Sequence, residues 1–101
     1  MATAESKAKD KLRRILKKYP CYFFFPPANG FGSTGIPDVV GCKNGRFFGI
    51  EVKADTAVTA LQQNNLDNIA LAGGRAFVVR LTKLGVATGY DEVEKFLSGE
   101  K

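Results

Sequence analysis

Asn44-Gly45 constrains this 101-residue chain more than any other pair in it. Asp38-Val39-Val40-Gly41-Cys42 precedes the pair and Phe47-Phe48-Gly49-Ile50-Glu51-Val52-Lys53 follows it. Asn-Gly between two strand-like runs predicts a two-residue hairpin, because a type I′ turn needs positive φ at both central residues. Residues that face each other in such a hairpin have numbers adding to 89, as Asp38 and Glu51 do. The turn therefore predicts these two carboxylates opposite each other on one sheet face, with Cβ atoms about 5 Å apart. Lys53, two residues beyond Glu51, shares that face. Facing like charges destabilise a sheet unless a positive group sits between them, and a hard divalent cation takes carboxylate oxygens.

The same reading sorts the hairpin's apolar residues. Val39, Phe48, Ile50 and Val52 share one face, and Val40, Cys42 and Phe47 share the other with Asp38, Glu51 and Lys53. Apolar content on both faces predicts helices on both. Upstream, residues 4–19 follow a helical period, with Ala8, Leu12, Ile15, Leu16 and Tyr19 in one arc. Glu5 falls in that arc, where a carboxylate is costly unless paired. Its place in the first turn, where it favours the helix dipole, is the alternative. Pro20 ends the helix, and residues 21–25 read as a strand buried on both faces. After Pro26-Pro27 comes a glycine-rich loop containing Asn29, Ser33 and Thr34, whose spacing is not that of a nucleotide-binding loop.

Beyond the hairpin, a second helix is expected over residues 60–72, with Thr59 as N-cap and a buried arc of Leu61, Leu66, Ile69 and Ala72. Thr59-Ala60-Leu61-Gln62 fits a capping box, so Gln62 has a structural role available beside any functional one. Gly73-Gly74 closes the helix, and residues 76–79 read as a strand parallel to the hairpin's second strand. A short helix near residues 91–97 completes a single α/β domain, residues 1–101. Its order is αβββαβ plus that helix, with a mixed four-stranded sheet flanked by helices.

Composition narrows the functional classes. Residues 1–20 carry seven lysines and arginines against two carboxylates, and the remainder is balanced, so the net charge of +5 belongs to the first helix. Such a stripe either faces water or meets a phosphate backbone, and Lys7, Lys11, Arg14 and Lys18 are the candidate contacts. The chain has no histidine, and its two cysteines lack metal-site spacing, which excludes an ordinary zinc site. Cys21 and Cys42 are expected as buried reduced thiols. No apolar run approaches the roughly 18 residues of a membrane span, and no signal peptide is evident, so a cytoplasmic location is expected.

Two carboxylates and a lysine converging beside a basic helix suggest metal-dependent phosphodiester hydrolysis. A module that binds nucleic acid without cutting it is the alternative, though binding alone needs cations and no carboxylate pair. A third reading makes the same residues a surface salt-bridge cluster.

Gly35-Ile36-Pro37-Asp38 followed by Glu51-Val52-Lys53 resembles the PD-(D/E)xK nuclease signature. With Glu5-Ser6 upstream and Thr59-Ala60-Leu61-Gln62 downstream, the chain is similar to the VRR-NUC branch, the virus-type replication-repair nuclease domains, from Glu5 to about Val79. The resemblance implies a restriction-endonuclease-like core and a small phage or prophage enzyme that cleaves branched DNA, most of all the Holliday junction, with flaps next. Asp38, Glu51 and the Val52 carbonyl would ligate Mg²⁺ or Mn²⁺, and Glu5 would reach it directly or through water. Lys53 would position the attacking water, and Gln62 would orient Lys53, water or phosphate. The basic helix and the loop bearing Asn29, Ser33 and Thr34 would contact DNA. A two-fold symmetric junction implies a homodimer.

Overall fold

The computed structural model describes residues 2–27 and 35–99. In chain order these form α1 (Ala4–Lys18), β1 (Tyr22–Phe24), β2 (Val39–Lys43), β3 (Arg46–Lys53), α2 (Ala60–Leu71), β4 (Arg75–Leu81), β5 (Ala87–Thr88) and α3 (Tyr90–Ser98). The strands make one mixed sheet in the order β1-β2-β3-β4-β5.

The hairpin turns where the sequence predicts. Asn44 and Gly45 have φ of 52° and 78°, and Val39 pairs with Ile50, Gly41 with Phe48 and Lys43 with Arg46. The α2 crossover returns the chain parallel to β3, so that Lys53 faces Arg80. β1 joins β2 antiparallel. The expected sheet had four strands, and the two-residue β5, antiparallel to the end of β4, is a fifth. It is folded back by a turn in which Gly85 N–H donates to Thr82 O and Thr82 N–H to Val86 O. Two residues are too few to show an alternating pattern.

Val39, Phe48, Ile50 and Val52 are all buried, together with Phe77 and Val79 of β4. Helices α1 and α3 cover this face through Ala8, Leu12, Ile15 and Leu16 and through Tyr90, Val93 and Leu97. The Tyr90 hydroxyl donates to the buried Ala8 carbonyl at 2.9 Å, which ties the two helices together. α2 lies on the other face, centred on Leu66 and Ile69. Gly49 makes room for it: a Cβ there would stand 2.6 Å from the Ile69 Cδ1.

Several burial expectations change. Glu5 is exposed, because burial along the α1 stripe begins only at Ala8 and the first turn stays hydrated at the positive end of the helix dipole. Leu61 and Ala72 are exposed too, since α2 meets the sheet through its middle and its ends reach past it. β1 is an edge strand with Tyr22 and Phe24 in solvent and Phe23 packed on the core, not a strand buried on both faces. Cys21 is half-buried and Cys42 exposed, so neither is a buried thiol; both are free. Cys42 lies on the sheet face that α2 packs on, beyond the part that α2 covers. Among the described residues no helix is long and apolar enough to cross a membrane.

Candidate metal centre

The β2–β3 ladder stops at Val39–Ile50, one residue before Asp38 would face Glu51. Beyond it the Asp38 side chain continues the pairing: its Oδ2 accepts the Val52 N–H at 2.8 Å. The bond anchors Asp38 against β3, near enough for its carboxylate to act on Glu51. Glu51 is 3 % exposed and Lys53 9 %. The Lys53 Nζ stands 3.7 Å from the Glu51 Oε2. Asp38, Glu51, Val52 and Lys53 therefore meet at the end of the hairpin away from the turn.

Lys53 does not fully offset the burial of Glu51. Burial is the first cause that pushes the Glu51 carboxyl up to about 7, and the negative charge and hydrogen bond of Asp38 push it further. Lys53 opposes the shift, and Glu5 adds a smaller push of its own. Burial and the neighbouring Asp38 charge thus disfavour the charged form of Glu51 more than Lys53 favours it.

The remaining predicted residues divide. Glu5 is in solvent, near enough for its charge to reach Glu51, but it is not gathered with the pair. Among the described residues no group of three or more histidine, cysteine or acidic side chains is placed to hold a metal ion. Gln62 closes the α2 capping box: its Oε1 accepts Thr59 N–H at 2.9 Å while its own N–H donates to Thr59 Oγ1. The cap sits against the Asp38 segment, since a Cβ on Gly35 would stand 2.7 Å from the Leu61 carbonyl. The two motif stretches are thus neighbours. On α1, Lys7, Arg14 and Lys18 are exposed, and Lys18 lies over the Tyr19 ring. Lys11 is half-buried with its ammonium 5.1 Å from the Tyr90 ring centre. Asn29, Ser33 and Thr34 lie outside the described residues.

Two cations at the site escaped the sequence reading. Lys9 Nζ lies 3.8 Å from Asp38 Oδ1. It is one helical turn from Glu5, and that i,i+4 spacing was the available signal. Arg80, opposite Lys53, donates from Nη1 to the carbonyls of Ala54 at 3.1 Å and Thr56 at 2.6 Å. It holds the segment that leads from Lys53 to α2. The parallel register of β3 and β4 reveals it, and sequence alone does not specify that register.

The donor set suits a magnesium-like ion. Mg²⁺ is commonly held by one or two carboxylates with water filling its other positions, and two hard carboxylates, one of them buried, are present here. Asp38 and Glu51 would hold it.

No protein-family model matches the chain, and no curated protein matches it. Solved structures do. A VRR_NUC domain protein aligns with a TM-score of 0.68 at 17 % identity, over 98 % of this chain and 88 % of its own. Hjc, a Holliday junction resolvase from Archaeoglobus fulgidus, aligns with a TM-score of 0.61 at 20 % identity, over 81 % of this chain and 72 % of its own. With Asp38, Glu51 and Lys53 meeting at one end of a mixed sheet between helices, this chain shares the fold of these two structures, of the restriction-endonuclease-like kind.

Proposed function

We propose that this protein is a divalent-metal-dependent DNA endonuclease that hydrolyses phosphodiester bonds in branched DNA, with the four-way junction as its substrate and a homodimer as its working form. The observation that carries the reading is the Asp38–Glu51 carboxylate pair, with the Lys53 ammonium 3.7 Å from Glu51. The likeness in fold to a resolvase and to a VRR_NUC domain protein supports the choice of substrate.

Asp38 and Glu51, with the Val52 carbonyl, would hold Mg²⁺ or Mn²⁺, which supplies Lewis-acid stabilisation and lowers the pKa of bound water. The chain's own groups do the rest. Lys53, kept near the carboxylates by Glu51, positions the attacking water and offsets negative charge on the transition state. Glu5, hydrated at the rim, acts through water. Gln62 spends its Oε1 on the helix cap, which leaves its amide Nε2 to donate to water or phosphate. Lys7, Arg14 and Lys18 on the exposed side of α1 supply affinity for the phosphate backbone and no base specificity.

The test incubates pure protein with end-labelled four-way, flap, single-stranded and linear duplex DNA, with Mg²⁺, Mn²⁺ or EDTA. Symmetric nicks in the four-way substrate, dependent on metal, are expected. Binding without cleavage in either metal would make the protein a non-catalytic module and overturn the reading. Cleavage of flaps alone would overturn the substrate assignment.

A further inference from the structure

α2 covers only part of its sheet face. It packs over Gly49 and β4, and the cover stops there. Towards the β1 edge the same face carries two rows of paired residues, Tyr22–Cys42–Phe47 and Phe24–Val40–Gly49. Tyr22 is 69 % exposed, Phe24 46 % and Phe47 47 %. Cys42 is exposed beside them and Val40 half-buried. Tyr22 and Phe24 stand edge-to-face, 6.2 Å between ring centres. None of the five carries a charge. We propose that Tyr22, Phe24, Val40, Cys42 and Phe47 form the contact through which a second copy of this chain docks about a two-fold axis.

Two observations select that occupant. The first is area. At about 200 Å² per aromatic side chain, the exposed parts of Tyr22, Phe24 and Phe47 amount to about 300 Å². A standard interface buries about 800 Å² per partner, of which roughly 60 % is apolar, so these three rings supply well over half of the apolar share. The second is charge. The chain carries +5, concentrated on α1, and α1 packs on the opposite face of the sheet. Two copies joined by the uncharged patch keep their basic helices apart and turned outward, whereas contact through α1 would oppose like charges. The lack of cations on the patch also argues against DNA lying there. The patch shares its sheet face with Glu51 and Lys53, so the contact would set the two carboxylate sites in a definite relation to each other.

This deepens the homodimer named above, and its test needs neither DNA nor metal. A dimer without cleavage removes the nuclease reading alone, and a monomer that cleaves removes the interface alone. In sedimentation velocity at about 10 µM, where a micromolar dissociation constant gives mostly dimer, the wild type should run at twice the 10.9 kDa chain mass. Phe47→Glu and Tyr22→Glu should run as monomers with unchanged circular dichroism. Should either unfold, the unaltered protein still decides. Alkylation of Cys42 by iodoacetamide, read at the peptide level, should be about tenfold slower at high protein concentration than at concentrations tenfold below the dissociation constant. A monomeric wild type, a dimer that survives both folded variants, or Cys42 labelling indifferent to concentration would overturn the interface.

Discussion

Glu51→Gln should make the metal-free protein more stable at pH 8 while removing its response to metal. Glu51 is 3 % exposed and its carboxyl is pushed from 4.5 to about 7, first by burial and then by Asp38. A carboxyl whose folded pKa lies above its unfolded value adds stability that is fully present below the unfolded pKa and lost as pH rises through the folded one. The wild type should therefore lose stability between about pH 4.5 and 7. At 1.36 kcal/mol per pKa unit the loss is about 3 kcal/mol, an upper figure because the pair relaxes and water enters. Glutamine keeps the size of the side chain and an acceptor for Lys53 and removes the charge, so a gain of about 2 kcal/mol at pH 8 is the working expectation. For a domain of this size that is roughly 8–16 °C in Tm. The assay is thermal melting by circular dichroism in EDTA at pH 5 and pH 8, taken as the difference between variant and wild type so that other titrations cancel. Added Mn²⁺ should then raise the melting temperature of the wild type and leave the variant nearly unmoved. A variant that melts below the wild type at pH 8, or a difference that is the same at both pH values, would show that Glu51 is a structural partner of Lys53 and would refute the electrostatic argument.

The other expectations concern neighbouring groups. Asp38→Ala should cost about 1–3 kcal/mol in EDTA because it leaves the buried Val52 N–H unpaired. Asp38→Asn keeps an acceptor there and should melt near the wild type, and equal melting of the two variants would deny the hydrogen bond its role. Lys53→Ala should abolish cleavage and leave junction binding nearly intact in a gel-shift assay; undiminished cleavage refutes the assignment. Gln62→Glu preserves the capping acceptor and should hold thermal stability while slowing cleavage, and unchanged cleavage would leave Gln62 a helix cap and nothing more. Replacing Arg14 and Lys18 with glutamine should flatten the slope of log affinity against log salt by about 1.8 if each meets one phosphate. An unchanged slope moves the DNA path off this side of α1.

The site was readable to different depths for different residues. The numbering brought Asp38 near Glu51 because an Asn-Gly turn dictates register over a few residues, although the ladder itself ends at Val39–Ile50. Gln62 was legible as a cap, which the structure bears out, while its site role rests on the resemblance alone. Glu5 was open between the packed arc and a hydrated first turn, and the second holds, because a helical arc shows which residues share a side, not how far along the helix the packing extends. The four apolar positions of α1 from Ala8 to Leu16 are buried as their spacing predicts, because they lie where the helix does meet the sheet. On β1 the same limitation appeared across the strand: alternation was absent, yet one face was left in water, since apolar content does not say whether a neighbour arrives to cover it.

Local chemistry therefore settled the hairpin, its turn and the α2 cap, because each depends on residues close together in the chain. Contacts between distant segments were decided only by the fold. Lys9 came to Asp38 through the docking of α1, Arg80 came opposite Lys53 through the parallel register of β4, and the β1–β2 surface stayed bare because α2 stops short of it. Packing area and register set those outcomes, and neither is encoded in any single stretch of sequence.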